Sequence, residues 1–395
     1  MNRLKKIYKE TNWKKIGIVS FYGYFAINIL MKAFAYDHGD NIYKYFFVFG
    51  MFFLAIKLIS TQYTLREILW AAILMGVSIP LSIITKSNTW LLLFLTIIGM
   101  KNCNYHKLIK IAVYIRCISV SILVLGSAFG VYDIGYKTTP DTNYVELPVY
   151  GFGMGEPNYA FLSVFLTILL LLYYNYEKLN KWWFIWTSAI ALLFYKFTFC
   201  RTGIAVFFFC WGLIIFEKKV KNDKQKFVLA LSIPVGALFS FGTMLTFNSS
   251  NPVLKLLNHF VSGRIYIINS YFKDQGLALL PRPQEIFYAS YYGLIDNSYM
   301  FVLIYCGWIV AIFFLALLCL MLWKLYKYRK YKELVMIAAL ALYGVLEQFV
   351  MNGFMNPFIL LGAVLLYPDF MQTDTDQKMM EKEETYETIS NSTSA

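Results

Sequence analysis

A chain of 395 residues that is 59% hydrophobic, 19% aromatic and only 15% charged differs from a soluble domain, which carries about 45–50% apolar and about 25% charged residues. With a mean hydropathy of +0.54, it is not a soluble globular enzyme, a disordered protein or a disulfide-rich secreted module. The apolar runs are continuous rather than alternating, which argues against a spanning β-barrel and gives an all-α, polytopic integral membrane protein. The net charge of +13 has a topological origin in such a chain, since basic residues collect in cytoplasmic loops; it does not call for nucleic acid.

At ~20 residues per span, apolar segments fall near 16–36, 42–60, 67–85, 88–100, 111–130, 158–175, 182–199, 203–216, 227–247, 295–323, 334–351 and 353–367. This predicts about twelve transmembrane helices, three of them short. Assigning alternate loops to the two sides separates the charges. One side collects Arg3, Lys5, Lys6, Lys9, Lys14 and Lys15, then Lys101, Lys107 and Lys110, then Lys218, Lys219, Lys221, Lys224 and Lys226, then Lys324, Lys327, Arg329, Lys330 and Lys332. The other has only Lys44, Lys86, Lys137, Arg201, Lys255, Arg264, Lys273 and Arg282. The first side is cytoplasmic by the positive-inside rule, which puts both termini inside. Ala33-Phe34-Ala35 resembles a signal-peptidase site, but the long basic leader and the many following spans favour an uncleaved first span. Six cysteines without a CxxC pair point to neither a zinc site nor a disulfide framework.

Residues 1–367 thus read as one polytopic domain with two long external loops, 131–157 and 248–294. Residues 368–395 read as an acidic, disordered cytoplasmic tail. Within the second loop Leu254, Leu257, Val261, Ile265, Ile268 and Phe272 recur at helical spacing. They predict a helix lying on the membrane surface or packing on the spans.

Positive charge is depleted outside, so each outer arginine calls for a reason. Arg201, in Phe199-Cys200-Arg201-Thr202-Gly203, stands between two apolar runs, at a depth where ionisable groups are costly; snorkelling to the headgroups is the alternative. Arg264 follows Ser262-Gly263, and Arg282 lies between Pro281 and Pro283, where a solvated loop residue is the plainer reading. A guanidinium fork grips phosphate oxygens and stays charged. Glu156, before Pro157-Asn158, and Asp296, before Asn297-Ser298-Tyr299, are either helix caps or functional carboxylates. Glu347, near the outer end of the eleventh span, needs a partner. Asp374-Thr375-Asp376 matches a metal-holding string of sugar-nucleotide transferases but lies in the tail. Asp37-His38-Gly39-Asp40 reads as a polar turn or a cation-binding or basic one. His106 and His259 are isolated. Outer tyrosines such as Tyr132, Tyr150 and Tyr288 suit sugars or an interfacial belt.

The order Gly-Phe-Gly-x-Gly-x-Pro-Asn (Gly151–Asn158), Cys-Arg-Thr-Gly (Cys200–Gly203), Ser-Gly-Arg (Ser262–Arg264) and Asp-Asn-Ser-Tyr (Asp296–Tyr299) resembles bacterial Wzy-type polysaccharide polymerases, relatives of the O-antigen ligases. The likeness covers roughly residues 130–360. It implies a glycosyltransferase at the outer face of the cytoplasmic membrane that polymerises undecaprenyl-diphosphate-linked repeat units, with no metal and no cofactor. The flippase and the chain-length regulator of the pathway are implied partners. The family's arginines map onto Arg201 and Arg264. Members often have His where this chain has Glu156, and ligases place His where it has Asp296, a departure that fits polymerase better.

Transfer from a lipid diphosphate needs fixed cations for the developing phosphate charge, and the acceptor hydroxyl needs a base. Arg201 and Arg264 are the expected diphosphate ligands, Asp296 the first choice of base and Glu156 the second. Asn158, Asn297, Glu347 and Arg282 are possible supporting residues. Rival functions are a flippase of lipid-linked oligosaccharide, a ligase, a glycan acyltransferase and a non-catalytic scaffold. Reporter fusions at residues 222 and 328 should read cytoplasmic, and fusions at 140 and 275 external. An external signal at 222 would move Arg201 to the wrong side.

Overall fold

The computed structural model describes residues 13–36, 40–140, 146–283 and 295–370. Helices dominate because a backbone in an apolar setting must satisfy its own hydrogen bonds. In chain order they are α1 (Trp13–Ala33), α2 (Asn41–Ser60), α3 (Leu65–Thr85), α4 (Thr89–Gly99) and α5 (Tyr105–Ala128). A short antiparallel hairpin follows, β1 (Lys137–Pro140) and β2 (Glu146–Val149), with Lys137 opposite Val149. Then come α6 (Pro157–Tyr174), α7 (Lys181–Thr198), α8 (Arg201–Lys219), α9 (Asp223–Ala230) and α10 (Ser232–Thr246). The chain continues through α11 (Pro252–Phe260), α12 (Arg264–Gln275), α13 (Ser298–Cys306), α14 (Trp308–Lys327) and α15 (Tyr331–Gly344). It closes with a 3₁₀ segment, Pro357–Gly362, and one turn of helix, α16 (Ala363–Leu366).

Among the described residues six helices are long and apolar enough to cross a membrane: α1, α2, α3, α5, α6 and α14. The pair α9–α10, bent by 45°, is long and apolar enough to be a seventh. The chain is a helical membrane protein. Several expected spans take other forms. Segment 88–100 is an 11-residue helix. Segment 295–323 is broken at Gly307, whose φ of +79° only glycine adopts freely. Segment 334–351 leaves the helix after Gly344, and 353–367 is mostly 3₁₀. The continuous helix expected over 254–272 is two helices, because Ser262 and Gly263 are both left-handed (φ +56° and +84°).

Interior and rim differ sharply. In α6, 78% of the spanning window is buried, against 22% in α2. So α6 is central, and α2 shows Val48, Phe52 and Ile59 to the surroundings, as lipid contact requires. Buried hydroxyls bond back to their own helix, as Thr85 does to the Leu81 carbonyl and Thr167 to that of Ser163, at 2.7 and 2.8 Å. Helices α5, α7, α9, α11 and α13 begin on Asn104, Asn180, Asn222, Asn251 and Asn297, whose side chains accept first-turn amides. An amide caps a helix without bringing a charge into the apolar region.

The bundle's two ends differ chemically. At one, Lys101 pairs with Glu67 at 2.5 Å, Lys226 pairs with Glu217 at 2.7 Å, and Lys324 donates to the Val364 carbonyl. Lys218 there donates to the Tyr176 carbonyl, joining the C-terminal ends of α6 and α8. At the other lie the N-terminal ends of the same two helices, with Glu156 and Arg201.

Candidate functional site

Four of the sequence motifs meet at that second end. A cavity of about 290 Å³ is lined by Lys137 and Val149 of the hairpin, Glu156, Pro157 and Asn158 at the start of α6, Thr198–Thr202 between α7 and α8, and Ser262 and Arg264 at the start of α12. Arg264 in turn contacts Glu347 and Asp296.

Local sequence explains how each piece gets there. The glycine-rich motif is a tight coil: Phe152, Gly153 and Gly155 have positive φ, and a side chain at Gly151 would strike the Gly155 carbonyl. The coil is anchored by Gly151 and Phe152 amides on the Ile134 carbonyl, both at 2.9 Å. Proline at the first helical position then starts α6. Glu156 holds the cap position but makes no side-chain cap bond; it is largely exposed and ion-paired with Lys137. In the second motif Gly203 lets α8 approach Phe161 of α6, since a Cβ there would lie 2.3 Å from the ring. Arg201 is the first residue of α8, with its guanidinium over the Phe199 ring, 5.9 Å from the centroid. It has no ion-pair partner among the described residues.

Arg264 is the first residue of α12 and its side chain is only 8% exposed. One terminal nitrogen lies 2.7 Å from a Glu347 carboxylate oxygen and 3.5 Å from one of Asp296. Its Nε is buried without a hydrogen-bond partner among the described residues. Glu347 is nearly buried and Asp296 half-buried. Asp296 does not cap α13; Asn297 does, accepting the amides of Tyr299 and Met300 at 3.0 and 2.9 Å. Burial pushes the Asp296 carboxyl above its ordinary range, and the Arg264 charge opposes that rise without cancelling it.

Asn297 and Ser298 act on the backbone opposite. Asn297 Nδ2 donates to Ser240 Oγ and the Val345 carbonyl, at 2.9 and 2.8 Å. Ser298 donates to the Glu347 carbonyl at 2.7 Å and accepts the Phe349 and Val350 amides. The Asp-Asn-Ser motif therefore pins the non-helical segment that presents Glu347. Arg282 lies outside the cavity lining: its side chain donates to the Gln275 carbonyl at 2.8 Å and its amide to that of Tyr305.

Two residues not singled out from sequence matter here. Lys137 adds a third cation to the cavity. Arg116, 1% exposed in α5, donates to the Phe354 carbonyl at 3.0 Å and so supports the same non-helical segment. Its position inside a 24-residue apolar helix was the available signal. Asp37, His38, Tyr144, Tyr288, Tyr291, Tyr292 and the Asp374-Thr375-Asp376 string lie outside the described residues. Among the described ones, no three His, Cys, Asp or Glu side chains stand close enough to share a metal.

Chemically the cavity suits an anion. The N-terminal ends of α6, α8 and α12 meet there, each carrying partial positive charge. Cations at such ends are unfavourable unless an anion compensates them, and both Arg201 and Arg264 occupy first helical positions. Comparison with protein-family models, with curated proteins and with solved structures finds no match for this chain.

The Asn297 clamp is testable. Asn297→Ala leaves buried partners unsatisfied, at about 1–3 kcal/mol per group. It should lower the midpoint of thermal unfolding in detergent and make the segment around Glu347 accessible to proteolysis. An unchanged midpoint would mean that the segment holds its shape without the clamp.

Proposed function

We propose that the protein is a membrane glycosyltransferase that polymerises undecaprenyl-diphosphate-linked oligosaccharide repeat units into a capsular, O-antigen or other exported polysaccharide. One observation carries this: Glu156, Arg201 and Arg264, from three separate stretches of the sequence, line one cavity with three helix N-termini, and Arg264 links it to Asp296 and Glu347. The motif resemblance assigns the same residues. In this proposal the cavity end faces outward and the lysine-rich end inward, with both termini cytoplasmic. Helices α4, α7, α8 and α15, the 353–367 segment, and α13 with α14 as one broken span complete about twelve crossings, and residues 248–294 form the external loop with α11 on the membrane surface. Helix α11 supports that placement, having no buried residue while Val253, Leu256 and Phe260 are exposed.

In the reaction, Arg201 and Arg264 bind the diphosphate of the donor, and Glu347 orients Arg264. The acceptor hydroxyl oxygen attacks the anomeric carbon and gives its proton to Asp296. The bond from that carbon to the diphosphate oxygen breaks, and the lipid diphosphate leaves with the electron pair. Fixed cations stabilise the developing charge without reorganising, so the leaving group needs no general acid.

Deleting the gene should leave surface glycan as single repeat units on a gel; a flippase mutant would export none. Arg201→Lys and Arg264→Lys should lose polymer nearly as fully as the alanine variants, because lysine lacks the planar fork. The loss of one such donor is worth about 10²–10³ in rate. Asp296→Asn should bind donor without extending it. In wild type the rate should fall as pH drops through the raised Asp296 pKa. Normal polymer from Asp296→Asn would transfer the role of base to Glu156, and normal polymer from Arg201→Lys would leave that residue only a snorkelling role.

A further inference from the structure

At the lysine-rich end, far from the cavity just described, α3, α4, α14 and the Pro357–Leu366 segment enclose an apolar groove of about 200 Å³. Its walls are carbon, with Leu93, Ile97, Leu318 and Ile359 among them. Among the described residues two charged side chains line it: Arg66 from the first turn of α3 and Lys324 from the last turn of α14. No carboxylate among those residues does. Lys324 gives one N–H to the Val364 carbonyl at 3.1 Å, and both cations line the same groove. Glu67, beside Arg66 in sequence, is engaged by Lys101.

We propose that this groove binds one anionic glycerophospholipid, an acyl chain lying along the carbon walls and the phosphate held between Arg66 and Lys324. Two like charges held together without a counter-charge raise the free energy, and an anion between them reverses the sign of the interaction. Basic pockets between helices at headgroup depth recognise acidic lipids in this way. Free phosphate would answer the cations but leave the apolar wall uncovered, so the occupant is a lipid. The site is independent of the glycosyltransferase proposal, because none of its lining residues belongs to that cavity.

The test is native mass spectrometry of the full-length protein after exchange into phosphatidylglycerol or phosphatidylcholine. Wild type should retain one phosphatidylglycerol and prefer it over phosphatidylcholine. The Arg66→Gln/Lys324→Gln variant should bind it about thirtyfold more weakly, each cation near the membrane surface contributing roughly fivefold. Arg66→Lys should keep the preference, since charge at the headgroup rather than fork geometry is required. Equal retention of the two lipids by wild type overturns the proposal, and that comparison stands even if the double variant does not assemble. An unchanged preference in an assembled double variant also overturns it. So does phosphatidylglycerol binding that appears only after residues 372–395 are removed, which would assign the two cations to the acidic tail.

Discussion

A guanidinium buried in an apolar bundle must find negative charge, and Arg264 finds it in Glu347, 83 positions further along the chain. That pair sets what surrounds it. Helix α15 stops at Gly344, and Glu347 is presented from the irregular backbone that follows. Irregular backbone within a membrane protein is tolerated only when its polar groups are answered by protein or water. Asn297, Ser298 and Arg116 answer them. Removing one partner of a buried ion pair leaves the other uncompensated, at about 3–5 kcal/mol, which explains why so many unrelated elements converge on this one contact.

The arrangement also separates binding from support. Among the described residues Arg201 keeps its guanidinium over Phe199 without a carboxylate partner, whereas Arg264 is held by two. The cavity therefore holds one cation set by an aromatic ring and one set by carboxylates. Two carboxylates fix the position of the Arg264 guanidinium, whereas a ring contact orients that of Arg201.

Part of this was legible in the sequence. Lysine distribution separated the two ends, because charge sidedness is a property of loops and needs no tertiary information. The residues of the cavity were legible as motifs, since Gly203, Gly151 and Pro157 mark close approaches and helix starts that few other residues allow. The function of Asn297 and Ser298 was not, because their partners lie about 50 residues away and local periodicity carries no long-range pairing. Capping looked plausible for Asp296 on composition alone, yet the neighbouring asparagine took that position. The break at Ser262-Gly263 was hidden because its apolar spacing continues in phase across the interruption. Helix count suffered for a similar reason: hydropathy records how apolar a segment is, not whether its backbone stays helical.

The interruption at Gly307 joins a span to the segment that precedes it. The Trp308 amide donates to the Ala278 carbonyl and the Arg282 amide to that of Tyr305, so backbone freed where α13 meets α14 is satisfied by residues 278–282. A Cβ at Gly307 would lie 2.7 Å from the Leu280 backbone, so the two strands of chain touch directly. Neither half is self-sufficient in lipid, since exposed amides there are costly. During biosynthesis the 278–282 segment leaves the ribosome first, so its backbone bonds to Tyr305 and Trp308 are completed only once α13 and the start of α14 have followed.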